Sequence, residues 1–276
     1  MALSQAGGPS QEQAAAVIHA ALDAGITFFD TADVYCTSDE DIGHNERLLR
    51  RAFDSYGGDT SGVVVATKGI MSRPGGDWVA GSDPDALFAA CDRSLEALGV
   101  DCLDLYYLHT PSGFDGDDFK FAKACANLRS LQQEGKIRHV GLSNVSYEQL
   151  VSSQAAIEVA ACQNRCNLFD PSAFHDGVVG HCKQTGVAFV PYSPMGGPRG
   201  PGSHIDSTAR DGLGLQPLCQ KLGCSAHELM LSWLLQIDDC IIPIAGATRM
   251  ESVTSIARAA KDKFPLADED IAQFLR

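Results

Sequence analysis

Short apolar runs and amphipathic stretches take turns along almost the whole chain, and that alternation limits the fold more than any other feature. The runs are ITFFD (26–30), VVVATK (63–68), CLDLYYLH (102–109), HVGLSN (139–144), AACQN (160–164), VAFVPYS (187–193) and CIIPIAG (240–246). They have strand length, and most carry β-branched or aromatic residues, as parallel strands buried on both faces do. Helical patterns lie between them. Ser10 is placed to cap QEQAAAVIHAALDA, with Gln13 as its capping-box partner and Gly25 as the stop. Asp83-Pro84 opens PDALFAACDRSLEALG, which Gly99 ends. FKFAKACANLRSLQQEG, YEQLVSSQAAI, HDGVVGHCKQTG, SAHELMLSWLLQ and MESVTSIARAAK follow the same pattern.

Strand, helix and strand repeated in this way imply parallel strands joined by right-handed crossovers. A doubly wound open sheet is the rival. It lacks the G-x-G-x-x-G turn after its first strand, since Gly212 and Gly214 in DGLGLQ are without the rest of that motif. The expected fold is therefore α/β, a (β/α)8 TIM barrel. Seven runs make good strands, and the eighth would have to fall in Met1 to Ser4, so the first strand is abbreviated or missing. No linker breaks residues 1–276, which read as a single barrel domain, although 195–214 reads as a long mobile Gly/Pro-rich loop.

A chain of 276 residues suits one such barrel. At 45% hydrophobic and 20% charged it can bury a large core, which sets disorder aside. Its formal net charge of −14 repels nucleic acid and anionic membranes, so a phosphate-bearing ligand must be held by local donors. No stretch approaches the roughly 18 to 20 apolar residues of a membrane span, and MALSQAGGPSQEQ has no export-signal pattern. The ten cysteines contain no CxxC pair and read as reduced thiols in a cytoplasmic protein; no metal site is expected.

Several runs finish on a polar residue: Asp30, Lys68, His109, Ser143-Asn144, Gln163-Asn164 and Tyr192-Ser193. In a (β/α)8 barrel those ends converge on the rim that carries the chemistry. A lone lysine or histidine there reads as a snorkelling cap or a satisfied core group, but an acid, a base and an imidazole at three successive ends point to one pocket. Tyr35 leaves the strand that ends at Asp30. A phenol ionises near pH 10, too high for efficient acid–base work at neutrality. A protonated Lys68 beside it would favour phenolate, and Asp30 is the natural counter-ion for that lysine.

At these residues the sequence resembles the aldo-keto reductase superfamily. The matching motifs are GITFFDTADVY (25–35), VVVATKG (63–69), LGVDCLDLYYLH (98–109), EGKIRHVGLSNVSYEQL (134–150), CQNRCNLFD (162–170), FVPYSPMGG (189–197) and LLQIDDCIIPIAGATR (234–249), in family order over nearly the whole chain. The resemblance implies reduction of aldehydes or ketones by hydride from NADPH, with Asp30, Tyr35, Lys68 and His109 as the catalytic tetrad. It implies Ser143, Asn144 and Gln163 on the nicotinamide carboxamide, Tyr192 stacked on the nicotinamide, and Ser193 with Met195 at the pyrophosphate. Gly246, Thr248 and Arg249 resemble the adenosine-phosphate end, where an arginine suits a 2′-phosphate and favours NADPH, with NADH admitted. Where the family carries a Glu-Asn pair for the adenine, this chain reads Thr254, Ser255 and Ile256. The chain ends soon after a short final helix, without the family's longer C-terminal loop, which implies an open pocket and broad tolerance. The implied partner is a small carbonyl compound, and the implied state is a monomer or small homo-oligomer.

Two rival functions stand beside this one. A regulatory subunit, resembling the channel-associated relatives of the family, would keep the fold and cofactor and act through protein contacts. A metal-dependent barrel hydrolase would need several histidines at strand ends, and of eight only His109 is so placed. Among other features, the acidic run Asp39, Glu40 and Asp41 reads as a solvated loop, Tyr106 and Tyr107 as packing residues, and Trp78 and Phe114 as either pocket wall or cover for a helix end.

Overall fold

The computed structural model describes residues 1–196, 214–262 and 264–275. It forms two compact units, Met1–Cys162 with Ala247–Met250, and Gln163–Gly246 with Glu251–Arg276. Residues 197–213 of the Gly/Pro-rich stretch lie outside the described residues.

The strands of the first unit are β1 (Phe28–Asp30), β2 (Val64–Gly69), β3 (Met71–Ser72), β4 (Val79–Ala80), β5 (Leu103–Leu108), β6 (Ile137–Ser143) and β7 (Val159–Gln163). β1, β2, β5, β6 and β7 stand side by side in that order, while β3 and β4 form a separate antiparallel hairpin. The pairs β1–β2, β2–β5 and β5–β6 are parallel. The connecting helices are α1 (Gln11–Asp23), α2 (His44–Ser55), α3 (Ala86–Leu98), α4 (Asp118–Gln133) and α5 (Tyr147–Ser153). α1 begins with the expected reciprocal cap, Ser10 Oγ accepting from Gln13 N–H while Gln13 Oε1 accepts from Ser10 N–H. α3 stops where Gly99 turns left-handed at φ 65°.

Register decides which side chains meet. Asp30 lies opposite Ala66, Lys68 opposite Tyr107, and Tyr107 opposite Gly141. Opposed residues of parallel strands project to one side, so Asp30, Lys68 and Tyr107 share a face. Gly141 leaves room for the Tyr107 ring, because a Cβ there would lie 2.3 Å from a ring carbon. Thr67, Gly69 and Tyr106 point the other way, toward the helices, and the Tyr106 hydroxyl fills the space that a Gly69 side chain would take. Both tyrosines are fully buried, as their position within a strand implies.

Four local features depart from the sequence reading or refine it. Residues Ala2–Ser4 form a 3-10 turn, so the first strand is missing. α2 was hidden because its buried face includes Asn45 and Glu46 beside Leu48, Leu49 and Ala52, which breaks the apolar period. The β3–β4 hairpin arises in the Gly/Pro-rich stretch after Lys68, where no strand pattern is visible. In the second unit VAFVPYS yields only β8 (Ala188–Phe189), and CIIPIAG yields a single parallel bridge, Phe189 to Ile241. Pro191 and Pro243 lack the N–H that a longer ladder needs. The bonds that join the two runs are Phe189 N–H to Cys240 O (2.8 Å), Ile242 N–H to Phe189 O (2.8 Å) and Ile244 N–H to Pro191 O (3.3 Å).

The remaining helices are α6 (Ser172–His175), α7 (Val178–Thr185), α8 (Leu215–Leu222), α9 (Ala226–Ile237), α10 (Met250–Asp262) and α11 (Asp268–Gln273). The core of the second unit centres on buried Trp233, whose ring meets Phe174 edge-on at 5.6 Å. No helix among the described residues is long and apolar enough to cross a membrane.

Gly141→Ala is expected to lower stability in urea unfolding by about 1–3 kcal/mol, the usual cost of overpacking a rigid neighbour. A midpoint indistinguishable from the parent would show that the Tyr107 ring yields freely.

Candidate active site

The ammonium of Lys68 organises the C-terminal ends of β1 and β2. The residue is fully buried, and Nζ donates to Asp30 Oδ2 at 2.5 Å, to the Thr31 carbonyl at 2.8 Å and to the Tyr35 phenol oxygen at 3.1 Å. Burial is the largest influence on this lysine and opposes its charge. The Asp30 carboxylate and the Tyr35 oxygen together outweigh it and hold the ammonium above its ordinary range. Because the Tyr35 oxygen accepts from Lys68, the phenol's own O–H is directed away from the ammonium.

His109 follows β5. Its ring lies edge-on to Tyr35 at 6.0 Å, and Trp78, from the turn of the β3–β4 hairpin, meets Tyr35 at 6.1 Å and His109 at 6.5 Å. Trp78 therefore walls the site. Phe114, by contrast, is core, with 1% of its surface exposed. Burial, reinforced by the nearby Lys68 charge, pushes His109 well below the usual imidazole range, which keeps it neutral. Its backbone is fixed at both ends, N–H to Gly69 O at 3.2 Å and C=O accepting from Asn144 Nδ2 at 3.0 Å.

The structure thus brings Asp30, Tyr35, Lys68 and His109 together. Ser143 is buried at the end of β6, and Asn144 follows it with a left-handed φ of 57°, its amide also donating to Ser143 Oγ at 3.1 Å. Thr248 and Arg249, also in the first unit, are exposed. Arg249 makes no ion pair among the described residues.

In the second unit, Gln163 is buried at the end of β7. Tyr192 is half-buried and bridged to Arg165, and Ser193 has a φ of 53°. Asn167 Nδ2 donates to the Ser193 carbonyl at 3.0 Å, and Arg165 Nη2 donates to the Gly196 carbonyl at 2.9 Å. These bonds fix the turn that carries Met195. Gly246 is exposed. Within the first unit, the amide and hydroxyl after β6 are groups that can pair with a carboxamide, and the Arg249 guanidinium is one that can pair with a phosphate.

Behind β2 lies a polar layer that the sequence did not reveal. Glu46 accepts from Thr67 Oγ1 at 2.6 Å, Asn45 accepts from Thr31 Oγ1 at 2.8 Å, and Asp33 is fully buried with Arg93 Nη2 3.8 Å away. Burial pushes the Asp33 carboxyl well above the ordinary range, the neighbouring Glu46 charge adds to this, and Arg93 offsets part of it. Glu46 is raised too, chiefly by burial. The Asp39 turn is fastened, Asp41 by Arg47 Nη2 at 2.9 Å and Asp39 by the Arg73 N–H at 2.5 Å.

With the geometry established, comparison with known proteins is informative. The sequence profile of the Aldo/keto reductase family matches residues 1–275. An uncharacterized oxidoreductase of Schizosaccharomyces pombe is 31% identical over 85% of this chain and 70% of its own length. The glycerol dehydrogenase of Gluconobacter oxydans superposes with a TM-score of 0.77 at 25% identity, covering 98% of this chain and 87% of that one. An aldo-keto reductase of Klebsiella pneumoniae in complex with NADPH gives 0.75 at 24% identity, covering 96% and 84%. The likeness to these solved structures gives the fold class, α/β of the (β/α)8 type.

Asp33 provides a pH test. An acid with a raised folded pKa carries a proton into the fold. Its contribution is complete below the unfolded value of about 3.9 and is lost as pH rises toward the folded value. Stability should therefore fall as pH rises above about 4 relative to Asp33→Asn, by at most about 1.4 kcal/mol per pH unit. Parallel urea midpoints for the two proteins across that range would contradict the buried-acid reading.

Proposed function

Since the chain belongs to the aldo/keto reductase family, and is thereby an oxidoreductase, we propose that it reduces aldehydes or ketones to alcohols with NADPH, Tyr35 serving as the general acid. The observation that carries this reading is the Lys68 ammonium touching Asp30 and the Tyr35 oxygen together, 2.5 Å and 3.1 Å away.

The bound cofactor would supply hydride to the carbonyl carbon. The protein supplies the proton. Tyr35 transfers its phenolic hydrogen to the carbonyl oxygen as charge grows there, which completes the alcohol and leaves phenolate. Lys68 stabilises that phenolate, and Asp30 keeps the ammonium charged and aimed. Neutral His109 offers an N–H to the same carbonyl oxygen and so orients the substrate. Solvent then restores the phenol.

The cofactor contacts proposed within the first unit are Ser143, Asn144, Thr248 and Arg249, and within the second Gln163, Tyr192, Ser193, Met195 and Gly246. The left-handed Asn144 and the braced 193–196 turn support these roles, because each holds polar groups at a fixed angle. Ten free cysteines support a reducing, cytoplasmic setting.

Loss of NADPH absorbance with 4-nitrobenzaldehyde tests the reading directly, and no turnover of any simple aldehyde would overturn it. Tyr35→Phe is expected to slow reduction by roughly 100- to 10,000-fold, while fluorescence titration still shows NADPH binding. Unchanged turnover would end the role of Tyr35. Arg249→Ala is expected to weaken NADPH more than NADH, and equal losses would remove Arg249 from the 2′-phosphate.

A further inference from the structure

The β3–β4 hairpin carries a cation that the proton-transfer chemistry does not use. Arg73 stands immediately after β3, and only 8% of its surface is exposed. Its guanidinium carbon lies 4.1 Å from the centre of the Trp78 ring. That same ring meets both Tyr35 and His109, so the guanidinium and the proposed proton donor are neighbours of one indole.

Arg73 Nε and Nη1 are buried and have no hydrogen-bond partner among the described residues. The neighbouring acids do not supply one. Asp39 Oδ1 accepts from the Arg73 backbone N–H, the Glu40 carboxylate accepts from Ser38, and Asp41 is paired with Arg47. Among the described residues no carboxylate forms an ion pair with Arg73. A guanidinium cannot shed its proton to escape the cost of burial, so its donors need an anion. The Trp78 face offsets part of that cost and holds the planar group in one orientation.

We propose that Arg73 anchors a carboxylate on the substrate, making an aldehyde or ketone that also bears a carboxylate the favoured substrate class. This rests on the reductase reading and adds a specificity residue to it. The protein carries a formal net charge of −14, which discourages anions at long range, so a preference for an anionic substrate must come from a local, desolvated donor. The carboxylate would accept from the buried guanidinium donors, and the ring or chain joining it to the carbonyl would run along Trp78.

The matched pair 4-formylbenzoate and methyl 4-formylbenzoate isolates this contact, since only the charge at the far end of the ring differs greatly. The ester is the more electrophilic aldehyde, so intrinsic reactivity works against the expected result. With the native enzyme and NADPH, kcat/KM for the acid should exceed that for the ester about tenfold or more, the size of a charge-assisted contact. In Arg73→Gln the ratio should fall to about one or below, and in Arg73→Lys it should keep an intermediate value, because the charge remains without the planar fork. The ratio is unaffected by a general loss of activity, and the native acid/ester comparison still decides if the glutamine variant does not fold. Turnover of both aldehydes with no preference for the acid, or a preference that survives Arg73→Gln, would overturn the inference and leave the reductase reading intact. Turnover of neither would overturn that reading and the inference with it.

Discussion

A charged lysine sealed from water is the constraint around which the first unit is organised. Lys68 is fully buried, and a lone ammonium there would be unsustainable; removing one partner of a buried pair costs about 3–5 kcal/mol. Three oxygens meet it, from Asp30, Thr31 and Tyr35, and all three follow directly from the way β1 and the segment after it lie beside β2. The register that sets Asp30 against Ala66 places its carboxylate within reach of a side chain two residues further along. Slipping β1 by one residue would turn Asp30 to the helix side and strand the ammonium. Strand pairing and the solvation of the buried ammonium are therefore a single requirement.

β2 also serves a second environment. While Lys68 points to the site, Thr67 and Gly69 point to the helix layer, where Glu46, Asp33 and the Tyr106 hydroxyl are enclosed. The two faces answer burial differently. On the site face the charge is kept, because a counter-ion and a phenol surround it. On the helix face the acids have weak cationic help, Arg93 reaching Asp33 only at 3.8 Å, and burial shifts them toward their neutral forms. Asp30 is the carboxylate that reaches the ammonium directly, while Asp33 and Glu46 lie on the other side of the strand.

How much of this was legible depended on whether a residue's role repeats a period. Asp30, Lys68 and His109 announce themselves by ending apolar runs, and Asn144 follows the run ending at Ser143, so pattern alone points to one rim. Its left-handed backbone and its bond to the His109 carbonyl are tertiary facts with no sequence signal. α2 was obscured because Asn45 and Glu46 sit where apolar residues would mark the buried face. CIIPIAG was overread as a strand because hydrophobicity and branching were counted without the N–H groups that Pro191 and Pro243 lack. Trp78 was ambiguous for a physical reason: a tryptophan in a Gly/Pro-rich stretch gains burial equally well over a helix end or over a pocket, and only the hairpin decides.

Arg73 was invisible for a related reason. In MSRPGGDW an arginine beside proline and two glycines has the look of solvated surface, and composition carries nothing against that. The backbone reverses it: Asp39 takes the Arg73 N–H, the turn folds back, and the side chain is pressed against Trp78. Two buried cations then flank the same aromatic wall under opposite conditions. Lys68 is saturated by oxygens of its own chain, which suits a group that must hold one charge through every turnover. Among the described residues two Arg73 donors have no acceptor, which suits a group whose acceptor arrives and leaves. Satisfaction from within suits the cation proposed for proton transfer, and unmet donors suit the one proposed for the substrate.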